Sequence, residues 1–167
     1  MTMTDACGIT GLFHVLVKTN DLEQTMKFYK GVIGLREAPR PDFSVKGAWL
    51  ACSTPIGEQI IHIWAEGPGM GPTGVSPYGT ATIDHVSLTA IGHKAYRERF
   101  KKHGLDWREY VIPKTTYWQL FVYDPSGVQL ELTFDEANEG GPHGPVTPGH
   151  EYKTGENFFD RAKYPRL

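Results

Sequence analysis

Two stretches of the chain carry the same features in the same order, laid out as Phe13-His14-Val15 on Asp84-His85-Val86. In the first, Leu12, His14 and Leu16 alternate with Phe13, Val15 and Val17, the pattern of a half-buried strand. A helix should follow, with Asn20 or Asp21 as its cap, Leu22, Met26 and Tyr29 as its apolar stripe, and Gly31 and Gly34 at its end. In the second, His85 to Leu88 reads as strand, and Ala95, Tyr96, Arg99 and Phe100 lie within a helix that Gly104 closes. His14 to Gly34 is 20 residues and His85 to Gly104 is 19, and each copy continues into Gly-Leu and then Arg-Glu, at Arg36-Glu37 and Arg108-Glu109. Three β-rich runs come after each helix, at 35–38, 48–53 and 59–64 and again at 107–112, 117–123 and 128–134. Each copy therefore reads as a βαβββ module, and the fold class is α+β with two such modules in tandem.

Module one spans residues 11–65 and module two 81–134, so that one domain covers 11–134 between an N-terminal extension, 1–10, and a C-terminal extension, 135–167. The linker, 66–80, has five Gly and three Pro, and the C-terminal extension has five Gly and four Pro, which marks both as irregular. Phe158, Phe159 and Tyr164 near the end of the extension should dock on the body or on a second subunit. With 17 Lys and Arg against 19 Asp and Glu, the net charge of −2 offers no footprint for nucleic acid. Apolar runs are too short for a membrane helix, which needs roughly 20 residues. Cys7 and Cys52 make no disulfide framework or zinc spacing, and the first eight residues show no export pattern, so a cytoplasmic setting is expected.

The seven histidines fall into two groups. His93, His103, His143 and His150 lie on or near the second helix or in the Gly/Pro-rich extension, where exposure is expected and a ligand role is not. His14, His62 and His85 lie in strands at equivalent places. His14 and His85 open their modules, whereas His62 and Glu131 sit in the last strands, 48 and 46 residues further on. A pseudo-twofold relation between the modules would bring these four together in one cleft. Glu131 lies between Leu130 and Leu132, where a carboxylate needs a partner or a metal. Two or three imidazoles with one carboxylate suit a borderline divalent ion and leave positions open for a substrate. Taken singly, each is also compatible with a hydrogen-bonded structural role.

Together with Phe28-Tyr29 and the run Asp124-Pro125-Ser126-Gly127-Val128-Gln129-Leu130-Glu131, these features resemble the vicinal oxygen chelate superfamily. That group includes glyoxalases, extradiol dioxygenases, epimerases and fosfomycin- or bleomycin-resistance proteins. The resemblance covers residues 11–134 and implies a half-barrel-like sheet around a metal cleft. It also implies metal ligation by His14, His85 and Glu131, and Gly127 and Pro125 suit a turn. The fourth family position falls on His62, where glyoxalase I usually has Glu and methylmalonyl-CoA epimerase has Gln. Extradiol dioxygenases instead have an acid/base histidine there. Those enzymes usually carry a tyrosine ten residues before the glutamate, which is Phe121 here; Tyr123 shares its strand face as a substitute.

Three functions follow as expectations. The first is a non-haem Fe(II) extradiol-type dioxygenase on a small, catechol-like bidentate substrate, with His62, Glu131 and Tyr123 as catalytic residues and Trp64, Tyr117 and Phe121 lining the pocket. The second is a glyoxalase- or epimerase-type lyase or isomerase, in which His62 becomes a fourth ligand and a metal-stabilised enediolate forms. The third is a non-catalytic drug-binding resistance protein. Fe(II) is the expected cofactor, with Ni, Co, Mn or Zn as the other candidates, and the expected partner besides the substrate is a second copy in a homodimer.

Overall fold

The computed structural model describes residues 14–42, 45–52, 59–81 and 83–167. The expected N-terminal extension, Cys7, the strand residues Leu12 and Phe13, and Ser53 lie outside them. Module one runs β1 (Val15–Lys18), α1 (Leu22–Lys27), β2 (Arg36–Ala38), β3 (Lys46–Ala51) and β4 (Gln59–Glu66). Module two runs β5 (Val86–Thr89), α2 (His93–Lys102), β6 (Trp107–Val111), β7 (Tyr117–Tyr123) and β8 (Gln129–Asp135). The strands form two four-stranded sheets, ordered β1-β4-β3-β2 and β5-β8-β7-β6. In each, the first strand pairs in parallel with the fourth and the other pairings are antiparallel. The βαβββ reading thus holds in both halves.

Local chemistry sets the helix ends. Of the two cap candidates, Asp21 accepts the Gln24 amide at 3.1 Å, while Asn20 exchanges hydrogen bonds with the Ser76 backbone. α1 does not stop at Gly31: it continues as a π-helical segment, Phe28–Ile33, until Gly34 turns the backbone left-handed at φ 86°. That widened segment buries Phe28, Tyr29, Val32 and Ile33. They share one core with Leu50, Ile61 and Ile63 of module one and with Phe100, Leu120, Leu130 and Phe134 of module two.

Hydrogen bonds fasten the modules across this core. The Tyr96 hydroxyl donates to the Ile33 carbonyl at 2.6 Å, and Arg99 donates to the Val32 carbonyl at 2.7 Å. The buried Tyr29 hydroxyl donates to Asp124 Oδ2 at 3.1 Å. Asp124 Oδ1 in turn accepts the Ser126 and Val128 amides, and Gly127 supplies the positive φ of the turn, 79°. Much of the Asp-Pro-Ser-Gly run is therefore a joint between modules. Burial pushes the Asp124 carboxyl up to about 6, against the opposing pull of those amides and the Tyr29 hydroxyl.

The C-terminal extension folds back over module two. The Glu109 amide donates to the His150 carbonyl and the Tyr152 amide donates to the Glu109 carbonyl, so residues near Glu151 run along the edge of β6. His150 stacks on Trp107, with ring centroids 3.8 Å apart. Phe158 lies edge-on to Tyr123, the Tyr164 hydroxyl donates to the Tyr123 carbonyl, and the Leu167 amide reaches Gln24 of module one at 2.8 Å. This overturns the expectation that His93, His103, His143 and His150 are exposed. His93 is buried, at 5% exposure, and the other three are half-buried. The extension carries two of them, His143 against His93 and His150 against Trp107, and His103 closes α2 as its C-cap.

Candidate metal centre

The two parallel pairings share a register. Leu16 stands opposite His62 across β1 and β4, and Ser87 stands opposite Glu131 across β5 and β8. His14 and His85, expected within strands, each stand one residue before β1 and β5 and two before Leu16 and Ser87, equivalent places in the two modules. The structure accordingly delivers the four expected residues as two pairs.

In module one the rings of His14 and His62 stack, 3.7 Å apart and 17° from parallel. Trp49, opposite His62 on β3, stacks on the same imidazole at 4.5 Å and 14°. His62 thus lies between two rings and is buried. Burial lowers its pKa, and the neighbouring His14 and Arg40 push it further down, which favours a neutral ring.

In module two His85 Nε2 lies 3.4 Å from Glu131 Oε2, longer than a normal hydrogen bond. The other side of each group is held. Asp84 Oδ1 is 2.7 Å from His85 Nδ1, and the Ser87 and Thr133 hydroxyls donate to Glu131 Oε1 at 2.5 and 2.9 Å. A carboxylate on Nδ1 fixes the tautomer that points an Nε2 lone pair outward, the usual second partner of a metal-binding histidine. The 3.4 Å span also suits two donors each about 2.1 Å from a shared ion. His85 and Glu131 are therefore placed as two donors to one divalent ion, with Glu131 buried between the fully buried Leu130 and Leu132. His14 lies with His62 and does not complete with them a set of three donors within 4.8 Å, so the four expected residues are not gathered at one point.

The pocket residues differ in their placement. Phe121 stands opposite Glu131 on β7 and lies edge-on to His85 at 5.8 Å. Trp64 is half-buried two residues beyond His62, with the turn at Gly69 packed against its ring so closely that a Cβ there would meet it at 2.5 Å. Tyr123 faces Phe158 and Phe159 of the extension, and burial together with Asp84 pushes its hydroxyl up to about 12. Tyr117 stands opposite Asp135, 44% exposed and four residues along β7 from Phe121. That is about 13 Å along a strand, which removes it from the His85 and Glu131 pair.

Two neighbours escape the sequence reading. Trp49 carried no signal beyond strand alternation. Tyr152, from the extension, stacks on Phe121 at 3.9 Å and 9°. Between the inner edge strands lies a cavity of about 240 Å³, lined among others by Val15, Val17, Ser76, Ile83, Val86 and Val128. Among the described residues, the three potential metal donors whose ligand atoms all fall within 4.8 Å of one another are a different set: His93, Glu109 and His143.

Comparisons with known proteins agree on the family and the fold. A family model described as Glyoxalase/Bleomycin resistance protein/Dioxygenase superfamily matches residues 11–132. A curated relative, Glyoxylase I 4 of Arabidopsis thaliana, is 28% identical over 131 residues, covering 74% of this chain and 70% of that protein. A putative glyoxalase family protein from Bacillus anthracis superposes with a TM-score of 0.60 at 23% identity, covering 78% of this chain and 98% of that one. The fosfomycin resistance protein FosX from Listeria monocytogenes was solved as a glutamate-to-glutamine point mutant with Mn(II) and 1S,2S-dihydroxypropylphosphonic acid. It superposes with a TM-score of 0.59 at 18% identity, covering 77% of this chain and 94% of that one.

Proposed function

The chain belongs to the glyoxalase/bleomycin resistance protein/dioxygenase superfamily, and on that premise we propose that it is a metal-dependent enzyme moving a proton within a small substrate that carries two adjacent oxygens. The observation that carries this reading is the repeated register, which sets His14 with His62 and His85 with Glu131 in matching positions of the two modules. His14, His85 and Glu131 would hold a divalent ion, which when bound supplies Lewis-acid polarisation of the two oxygens. Fe(II), Mn(II), Ni(II), Co(II) and Zn(II) all suit two imidazoles and a carboxylate, and FosX was solved with Mn(II).

The chain's own residues do the remainder. Asp84 orients His85, and Ser87 and Thr133 hold Glu131 Oε1 so that Oε2 faces His85. His62, held between His14 and Trp49, takes a proton from the carbon next to a carbonyl. The electron pair of that C–H bond forms a C=C bond as the carbonyl π pair moves onto its oxygen. The proton then returns to the former carbonyl carbon, and the hydroxyl proton of the first carbon passes to the other oxygen, leaving a carbonyl at the first carbon. The substrate is isomerised, with no oxidant consumed.

A second reading, extradiol-type ring cleavage with Fe(II) and O₂, is favoured by Tyr152. Its ring lies on Phe121, the place where the extradiol enzymes carry their tyrosine. The extension would thereby restore a phenol beside the site.

One experiment separates the two. Protein loaded with each metal is given methylglyoxal with a thiol, an α-hydroxy ketone, or a catechol in D₂O, and deuterium incorporation and O₂ uptake are followed together. Deuterium wash-in without O₂ uptake is expected, lost in His62→Ala while metal is retained, and Glu131→Ala should lose the metal from this site. Oxygen-dependent cleavage of the catechol would establish the second reading. Metal stoichiometry left undiminished by Glu131→Ala and His85→Ala, with no turnover of any of these substrates by the unaltered chain, would sink both.

A further inference from the structure

His93, Glu109 and His143 come from three distant parts of the chain: the first turn of α2, the edge strand β6 and the C-terminal extension. Their ligand atoms lie within 4.8 Å of one another. His93 is 5% and Glu109 1% exposed, so this is an interior cluster. Its walls are aromatic. His93 lies edge-on to Trp118 at 5.5 Å and to Phe134 at 5.2 Å, and His143 lies edge-on to Trp118 at 4.7 Å.

The hydrogen bonding of the cluster is incomplete on one side. His93 Nε2 is fully enclosed and makes no hydrogen bond among the described residues. Leaving a buried nitrogen unmatched costs about 1–3 kcal/mol. Glu109 Oε1 is engaged by Trp107 Nε1 at 3.0 Å, with Arg97 Nε 3.2 Å away. Oε2 accepts the Thr147 amide at 3.2 Å and keeps a further lone pair.

We propose that His93, Glu109 and His143 form a second metal site, selective for Zn²⁺ and similar borderline divalent ions, which pins the C-terminal extension to module two. Two imidazoles and a carboxylate are a zinc donor set of three, to which a bound water would add the fourth position. The role is structural. Glu139, four residues before His143, accepts the Gly92 and His93 amides at 2.7 and 2.8 Å and so docks the same stretch on the start of α2. The site stands apart from His14, His85 and Glu131, and it does not depend on the reaction proposed above.

The test is Zn²⁺ stoichiometry by equilibrium dialysis of the full chain, with limited proteolysis of the extension as a second readout. The double variant His85→Ala/Glu131→Ala should keep about one Zn²⁺ per chain. Adding His143→Gln should abolish that binding or weaken it at least tenfold. Zn²⁺ should slow cleavage within residues 140–149 of the double variant and have no such effect once His143 is changed. If the double variant fails to fold, His143→Gln in the otherwise unaltered chain must lower the stoichiometry by one; it changes one half-buried side chain of the extension. The proposal is overturned if the double variant binds no Zn²⁺, if His143→Gln leaves binding unchanged, or if Zn²⁺ does not alter cleavage of the extension.

Discussion

Single side chains govern the proposed centre through contacts that never touch a substrate. Asp84 touches only the far nitrogen of His85, 2.7 Å away, yet that contact decides which nitrogen is free to bind a metal. Asp84→Asn should weaken metal binding at this centre about 10- to 100-fold, as loss of such outer partners usually does, while leaving the fold intact. Metal titration in a His143→Gln background, which reports the His85 site alone, checks this; unchanged affinity would show that the Asp84 contact is incidental. At this scale the sequence is informative about identity and poor on environment. The matching places of His14, His62, His85 and Glu131 in the two modules are legible because each falls at a fixed position of a repeat. The ring of Trp49 against His62 and that of Tyr152 against Phe121 were not, because neither recurs. His93 is a sharper case. Its predicted exposure followed from its place at the start of a helix, and its burial depends on residues 46 to 50 positions away, Glu139 and His143.

Strands and helices were largely readable from periodicity, since alternation over four to eight residues and an i, i+4, i+7 stripe reflect local geometry. Of the two glycines that can end the first helix, Gly34 does so and Gly31 does not, because the π-helical segment that buries Val32 and Ile33 answers to the core. The meaning of two sequence motifs also emerged only in three dimensions. Phe28-Tyr29 and the Asp-Pro-Ser-Gly turn are 95 residues apart at Tyr29 and Asp124, and they are the two halves of one buried joint. Tyr29→Phe removes the hydroxyl and should cost about 1–2 kcal/mol of stability, read as a lowered urea midpoint with unchanged slope. Asp124 adds a pH dependence. Its carboxyl rises to about 6 on folding from an ordinary 3.8, so between these values the folded chain keeps a proton that the unfolded chain releases. This contribution is fully present below 3.8 and is lost as pH rises through about 6. Wild type should therefore lose stability from about pH 4.5 to about pH 7.5 relative to Asp124→Asn, by an amount on the order of 2 kcal/mol. Parallel pH profiles for the two proteins would refute the assignment.

For the whole molecule, the extension matters more than its Gly/Pro-rich composition suggested. It lines the edge of β6, covers Trp107, Phe121 and Tyr123 with ring contacts, and ends on Gln24 of the other module. A chain ended after Asn138 should unfold at lower urea and bind a hydrophobic dye; unfolding and dye binding identical to the full chain would mean that these contacts carry no stability. The extension also leaves the two outer sheet edges unequal. β6 is occupied along its flank, whereas β2 has three residues, of which Arg36 and Glu37 are exposed. The inner edges, β1 and β5, face the cavity between the modules. Strand-by-strand growth of an aggregate requires two acceptor edges on every copy, one to join and one to be joined. With β6 engaged by the extension at Glu109, β2 is the outer edge left for backbone pairing between copies, and pairing through β2 alone ends at two molecules.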